Sequence, residues 1–201
     1  MKLLIASHNS GKIEEFKKLF AEYAFEVVSL LDYPELDEVE ETGSTFEENA
    51  RLKAETIANK LNIIAIADDS GLVVDDLNGA PGVYSARYSG EPKDDQRNKL
   101  KLLDELSKIP DSQRQAHFIS CIVAAYPNYP SLVVEGKVFG TILEQERGMD
   151  GFGYDSLFYY QPKDKTFAQL GLQEKNKISH RSDAFEKLMK EFPAWIEGIN
   201  A

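Results

Sequence analysis

Asn62 to Ala67 is an apolar run that reads as a buried strand, and Asp68-Asp69-Ser70-Gly71 stops it abruptly. Ligands in α/β folds gather outside the carboxyl ends of strands. Adjacent carboxylates repel, and burial disfavours ionising both; a divalent cation relieves that conflict, and hard oxygen donors suit Mg²⁺. Gly71 allows close approach of the backbone. The alternative is a turn in which an aspartate caps a loop. Two acids directly behind five apolar residues favour the metal reading.

The flanking segments alternate between strand and helix. Leu3 to Ala6 reads as a short buried strand, Ser7-His8-Asn9-Ser10-Gly11 as a loop, and Lys12 as the opening of a helix with Ile13, Phe16, Leu19 and Phe20 at helical spacing. Phe25 to Leu31 suggests a strand. Asp32 to Gly43 is an acidic loop carrying Glu35, Asp37, Glu38, Glu40 and Glu41. Thr45 and Glu48 fit a capping box, and the helix behind them carries Phe46, Ala50, Ile57 and Leu61. Leu72 to Val74, an Asn78-Gly79 turn and the loop 79–88 follow. Leu100, Leu103 and Leu106 then mark a helix that closes near Pro110.

The second half is richer in strands. His117 to Tyr126 pairs with Leu132 to Leu143 across the Pro127–Pro130 turn, and Leu157 to Tyr160 is a further strand. The final helix starts near Ser179 and carries Ala184, Phe185, Leu188, Met189 and Phe192. No repeat, low-complexity tract or linker divides the chain. These elements predict one α/β domain over residues 1–201 with a mixed sheet, helical at both ends and β-rich in the middle.

Composition narrows the partners. A net charge of −11 opposes binding to a nucleic-acid polymer. No run approaches the ~18 apolar residues of a membrane span, and Leu3 to Ala6 is too short for a signal-peptide core. One cysteine, Cys121, excludes an internal disulfide, so a cytoplasmic setting is expected. A small phosphorylated ligand remains open if the scarce basic groups converge.

Four other groupings bear on that question. The strand, polar loop and helix start at 7–12 place backbone N–H groups, the helix dipole and Lys12 at one spot, which suits an anion; the competing reading is an ordinary turn with a surface lysine. Lys53 falls inside the apolar stripe of its helix, so it either meets a carboxylate or phosphate or snorkels outward. Gly151-Phe152-Gly153-Tyr154-Asp155 alternates rings with glycines, which suits stacking on a flat base or the filling of a core. Lys175, Lys177, His180 and Arg181 crowd a helix start, where cations are unfavourable unless an anion or carbonyl sits there. A solvated charge run is the alternative.

Read together, these motifs resemble the inosine triphosphate pyrophosphatase family, also known as dITP/XTP or house-cleaning nucleotide pyrophosphatases. The resemblance rests on Ser-His-Asn-Ser-Gly-Lys at 7–12, Thr-Phe-Glu-Glu-Asn-Ala at 45–50 with Lys53, and Ala-Asp-Asp-Ser-Gly-Leu at 67–72. It continues through Gly-Ala-Pro-Gly-Val-Tyr-Ser-Ala-Arg-Tyr at 79–88, Phe-Gly-Tyr-Asp at 152–155 and Lys-Ile-Ser-His-Arg at 177–181. It implies an elongated mixed sheet flanked by helices, in two lobes with the active cleft between them, as a homodimer. It also implies Mg²⁺-dependent hydrolysis of ITP, dITP or XTP to the monophosphate and pyrophosphate.

By position, Ser7, His8, Asn9, Ser10, Gly11, Lys12 and Lys53 would hold the triphosphate. Glu41 or its neighbour Glu40 would bind metal with Asp69, and Asp69 would serve as general base with Asp68 in support. Ser70 would touch substrate. Phe152, Gly153, Tyr154, Asp155, Lys175, His180 and Arg181 would surround the base. Two departures stand out: Ser156 replaces a frequent proline, which is expected to loosen that loop, and Leu170-Gly171-Leu172-Gln173 replaces a more polar stretch. An aspartyl-nucleophile phosphatase would want Asp-x-Asp instead of adjacent acids, and a nucleotide sensor would share the site without turnover.

Overall fold

The computed structural model describes residues 2–21, 23, 25–37 and 39–199; Glu38 of the acidic loop lies outside them. The strands are β1 (Lys2–Ile5), β2 (Glu26–Ser29), β3 (Ile64–Val74), β4 (Gln115–Tyr126), β5 (Tyr129–Ile142), β6 (Phe158–Tyr160) and β7 (Lys165–Thr166). The helices are α1 (Ser10–Leu19), α2 (Phe46–Leu61), α3 (Asp95–Ser107), α4 (Phe167–Ile178) and α5 (His180–Ile199). Among the described residues the strands form one mixed sheet in the order β2-β1-β3-β4-β5-β6-β7. β1 pairs in parallel with β2 and β3, whereas β6 is antiparallel to β5 and β7. The fold is therefore α/β, as expected. No described helix is long and apolar enough to cross a membrane.

The chain divides into two compact units. Residues 1–69, 120–136 and 182–201 form the first, and residues 70–119 and 137–181 the second. β3, β4 and β5 each contribute residues to both.

In the first unit, successive strand side chains point to opposite sheet faces, and each face has its own core. Leu3, Ile5, Ile64 and Ile66 pack with Ile13 and Phe16 of α1 and with Phe185, Leu188 and Phe192 of α5. Leu4, Ala65, Ala67 and Cys121 pack with Ala50, Ala54, Ile57 and Ala58 of α2. The alanines at 50, 54 and 58 recur every four residues, so they form one smooth stripe along α2.

The second unit is built around Leu72 and Val74 of β3, Leu102 and Leu106 of α3, Phe158 of β6 and Phe167 of α4. Leu100, expected on the apolar face of α3, is exposed. The buried face runs instead through Asn98, Leu102 and Leu106, again four residues apart.

The capping box is present. The Thr45 hydroxyl accepts from Glu48 N at 3.1 Å, and the Glu48 carboxylate accepts from Thr45 N at 3.2 Å. Replacing Thr45 by alanine should therefore cost about 1 kcal/mol, measured as a shift in the urea midpoint at unchanged slope.

The largest correction concerns β3. The strand does not stop at Asp68 but continues through the acids to Val74. Polar residues persist there because their side chains find partners on the neighbouring helices. Strand alternation also sends Asp68 to the α1 face, with Ile64 and Ile66, and Asp69 to the α2 face, with Ala65 and Ala67.

Candidate active site

α1 begins at Ser10, two residues earlier than Lys12. Asn9 is its N-cap, with the side chain accepting from Lys12 N at 3.1 Å, and Asn9 N donates to Ser7 Oγ at 3.1 Å. The first turn carries no acidic residue, so nothing on the helix itself neutralises the positive end of its dipole. His8, Asn9 and Ser10 are exposed beside it. Lys12 reaches back from this turn to Asp68, with Nζ to Oδ2 at 3.1 Å.

On the other face, Lys53 of α2 is largely buried. Its Nζ donates to Glu41 Oε1 and to the Asp68 backbone oxygen, both at 2.7 Å, and lies 3.6 Å from Asp69 Oδ1. Lys53 thus meets acids instead of snorkelling. Burial would lower its pKa, but the charges of Asp69, Asp68 and Glu41 together outweigh that and hold the ammonium above its ordinary value. Asp69 is shifted upward, chiefly by burial, against the opposing pull of Lys53 and Lys12. Asn49, fully buried, donates to Asp69 Oδ2 at 3.1 Å. Asn49 escaped the sequence reading, although its place in the Thr-Phe-Glu-Glu-Asn-Ala run, four residues before Lys53, was the available signal.

Of the two acids proposed beside Asp69, Glu41 joins Lys53 while Glu40 is exposed. Among the described residues no group of three or more acidic, imidazole or thiol side chains forms a ready metal cage. The donor set still fits Mg²⁺, which is commonly held by one or two carboxylates together with substrate phosphates and water. Glu41 and Asp69 supply hard oxygens of that kind, drawn to a common cation.

The second unit holds the remaining predicted residues. Lys175 donates to Asp155 Oδ2 at 2.7 Å, with both side chains buried. Burial raises the Asp155 pKa, and the Lys175 ammonium opposes the shift. The Phe152 ring, 40% exposed, lies 4.7 Å from Lys175 Nζ and 5.7 Å from Arg181 Cζ. Arg181 donates to Ser70 Oγ at 3.0 Å. The His180 ring stacks on Phe118 with centroids 5.0 Å apart. Tyr154 is a core residue, its hydroxyl donating to the Ser85 carbonyl at 2.9 Å, so Phe152 is the ring left open at this loop.

One expectation changes here. Lys175 and Lys177 lie in the last turn of α4, not at a helix start, and cations are favourable there. Lys177 is exposed and pairs with Glu174 at 2.9 Å, while Lys175 turns inward. The Ser156 hydroxyl donates to Glu146 Oε2 at 2.6 Å.

The first unit thus holds a helix start flanked by exposed polar residues and a lysine ringed by acids, and the second a cationic cluster beside an open aromatic ring. Residues 3–191 match the Ham1 family, and the chain belongs to it. It is 52% identical over 198 residues to the dITP/XTP pyrophosphatase of Bacillus cereus, covering 98% of this chain and 97% of that one. The dITP/XTP pyrophosphatase of Bacillus subtilis is 52% identical over 187 residues, 93% and 94% of the two chains. Among solved structures, a HAM1 protein from Coxiella burnetii superposes with a TM-score of 0.89 at 38% identity, covering 96% and 99%. The Ham1 protein of Staphylococcus aureus gives 0.85 at 47% identity, covering 98% and 99%.

Proposed function

We propose that residues 1–201 work as one catalytic domain that hydrolyses ITP, dITP and XTP to the monophosphate and pyrophosphate. The observation that carries this reading is the convergence of Lys53, Glu41 and Asp69, with Lys12 on Asp68 one residue away. Relatives about half identical over nearly the whole chain, named for dITP and XTP, support the substrate class.

In the proposed reaction, the oxygen of water forms a bond to the α-phosphorus. The bond from that phosphorus to the bridging oxygen breaks, and its electron pair leaves with pyrophosphate. Asp69 accepts the proton of the attacking water, and its upward-shifted pKa suits a base better than an ordinary aspartate. Asn49 fixes the orientation of that carboxylate. Lys12, Lys53 and the positive start of α1 hold the phosphates and offset the charge that grows on the leaving group. Mg²⁺, held by Glu41 and Asp69 with substrate, would polarise phosphate oxygens and neutralise their charge.

For the nucleobase, Phe152 offers a face for stacking. Lys175, His180 and Arg181 supply donors for the O6 acceptor of hypoxanthine or xanthine, which adenine replaces with an amino group. A homodimer in the cytoplasm completes the proposal, on the strength of the family resemblance and of a buried lone thiol that burial pushes up to about 12.

A nucleotide panel tests this reading, with pyrophosphate and orthophosphate measured separately. ITP should exceed ATP at least ~10-fold in kcat/KM, since opposed hydrogen bonds in a buried polar site discriminate strongly. Pyrophosphate should be the product, and EDTA should abolish it. Release of orthophosphate, or equal rates for ITP and ATP, would overturn it.

A further inference from the structure

The loop that presents Phe152 is fastened from a helix that carries none of the residues assigned above. Asp95, Gln96 and Lys99 occupy the first turns of α3, and their spacing of three and four residues places Lys99 beside both of the others. The Asp95 carboxylate accepts from the backbone N–H of Gly153, the residue after Phe152, at 2.7 Å. Gln96 Nε2 donates to Glu146 Oε1 at 3.0 Å, and Lys99 Nζ pairs with Glu146 Oε2. The same Glu146 oxygen accepts from Ser156 Oγ at 2.6 Å, and Lys99 also lies 3.4 Å from that hydroxyl. Hydrogen bonds from Lys99 and Ser156 hold the Glu146 carboxyl down to about 2, so this junction stays charged at any pH where the protein works.

The aromatic segment is thus gripped at Gly153 and again at Ser156, with Lys99 largely buried at the second grip. Between them, Asp155 accepts from Phe152 N at 3.2 Å. The segment cannot easily be re-formed by other residues. Gly151 has φ of +81° and a Cβ there would fall 2.2 Å from Asp155 Oδ2, so the chain passes directly against that carboxylate.

We infer that Asp95 and Lys99 of α3 are positioning residues that clamp the 148–156 loop and thereby set how tightly the nucleobase is held against Phe152. The inference rests on the substrate assignment proposed above only for which ligand end it affects. A clamp that acts on the base alone should alter binding while leaving the phosphate chemistry intact.

The test compares wild type with Lys99→Met, Lys99→Arg and Asp95→Ala, measuring ITP kinetics and backbone hydrogen exchange. Lys99→Met and Asp95→Ala should each raise KM about tenfold, a modest cost for misplacing a binding group, with kcat within twofold. Exchange should accelerate in residues 148–156 and not in α2. Lys99→Arg, which keeps the cation, should restore both values. Unchanged KM, a parallel fall in kcat, or failure of arginine to rescue would overturn the clamp. If the wild type releases no pyrophosphate from ITP, the substrate reading falls by itself, and exchange decides the clamp: unchanged rates at 148–156 would refute it.

Discussion

Asp69→Asn should lower kcat for ITP by ~10²–10⁴, the usual worth of a general base, while the protein stays folded. The substitution keeps the shape of the side chain, and its amide oxygen can still accept from Asn49. What disappears is the capacity to take a proton, together with the negative charge. Asp68→Asn should cost less. Its carboxylate lies on the opposite face of β3, against Lys12, and serves to place that ammonium. Pyrophosphate release by both variants, with thermal melts to verify folding, checks the division of roles. Near wild-type turnover in Asp69→Asn would remove the base assignment, and an equal loss in Asp68→Asn would remove the asymmetry.

Lys53→Met should damage stability and activity together. Methionine keeps the length and packing of the stem but leaves Glu41 and Asp69 without the cation they share. Breaking a buried pair by removing one partner costs about 3–5 kcal/mol, because the remaining charge is uncompensated. The buried Asp69 can escape that cost by taking up a proton, so its upward shift should grow in the variant. The stability deficit should therefore narrow as the pH falls through the acidic range, where protonation is easiest. Denaturant titrations at pH 5 and pH 8 read this directly. A deficit that is constant with pH would show that the loss comes from packing and not from charge. Turnover should fall at least ~10²-fold, since the leaving group loses a neutralising cation.

Lys53 was legible because it broke a local rule. A lysine between Ala50 and Ile57 on an apolar stripe must have a reason, and the reason is the carboxylates of Glu41 and Asp69 together with the backbone oxygen of Asp68. The Thr45–Glu48 box was legible because both its members lie within four residues. The continuation of β3 was not, since Asp68-Asp69-Ser70-Gly71 has the composition of a turn. What keeps those residues extended are partners up to 111 positions away, as in the bond from Arg181 to Ser70. α4 was hidden for a related reason. Gly171 adopts φ of +71° inside it, and Gln169, Gln173 and Glu174 dilute its apolar pattern. Without that helix, Lys175 and Lys177 could only be read as one cluster around the start of the next. The α3 contacts with the aromatic loop join residues about fifty positions apart, again beyond any local pattern.

The continuity of β3 carries one more implication. Asp69 closes the first unit and Ser70 opens the second, so a single peptide bond links the proposed base to the residue that Arg181 holds. A strand repeats every two residues, and a shift of one residue turns every later side chain to the other face. Gain or loss of one codon between Ile64 and Asp68 would exchange the Lys12 and Lys53 sides of the site and turn Leu72 and Val74 out of their core. This stretch should accordingly hold its length through evolution far more strictly than its composition.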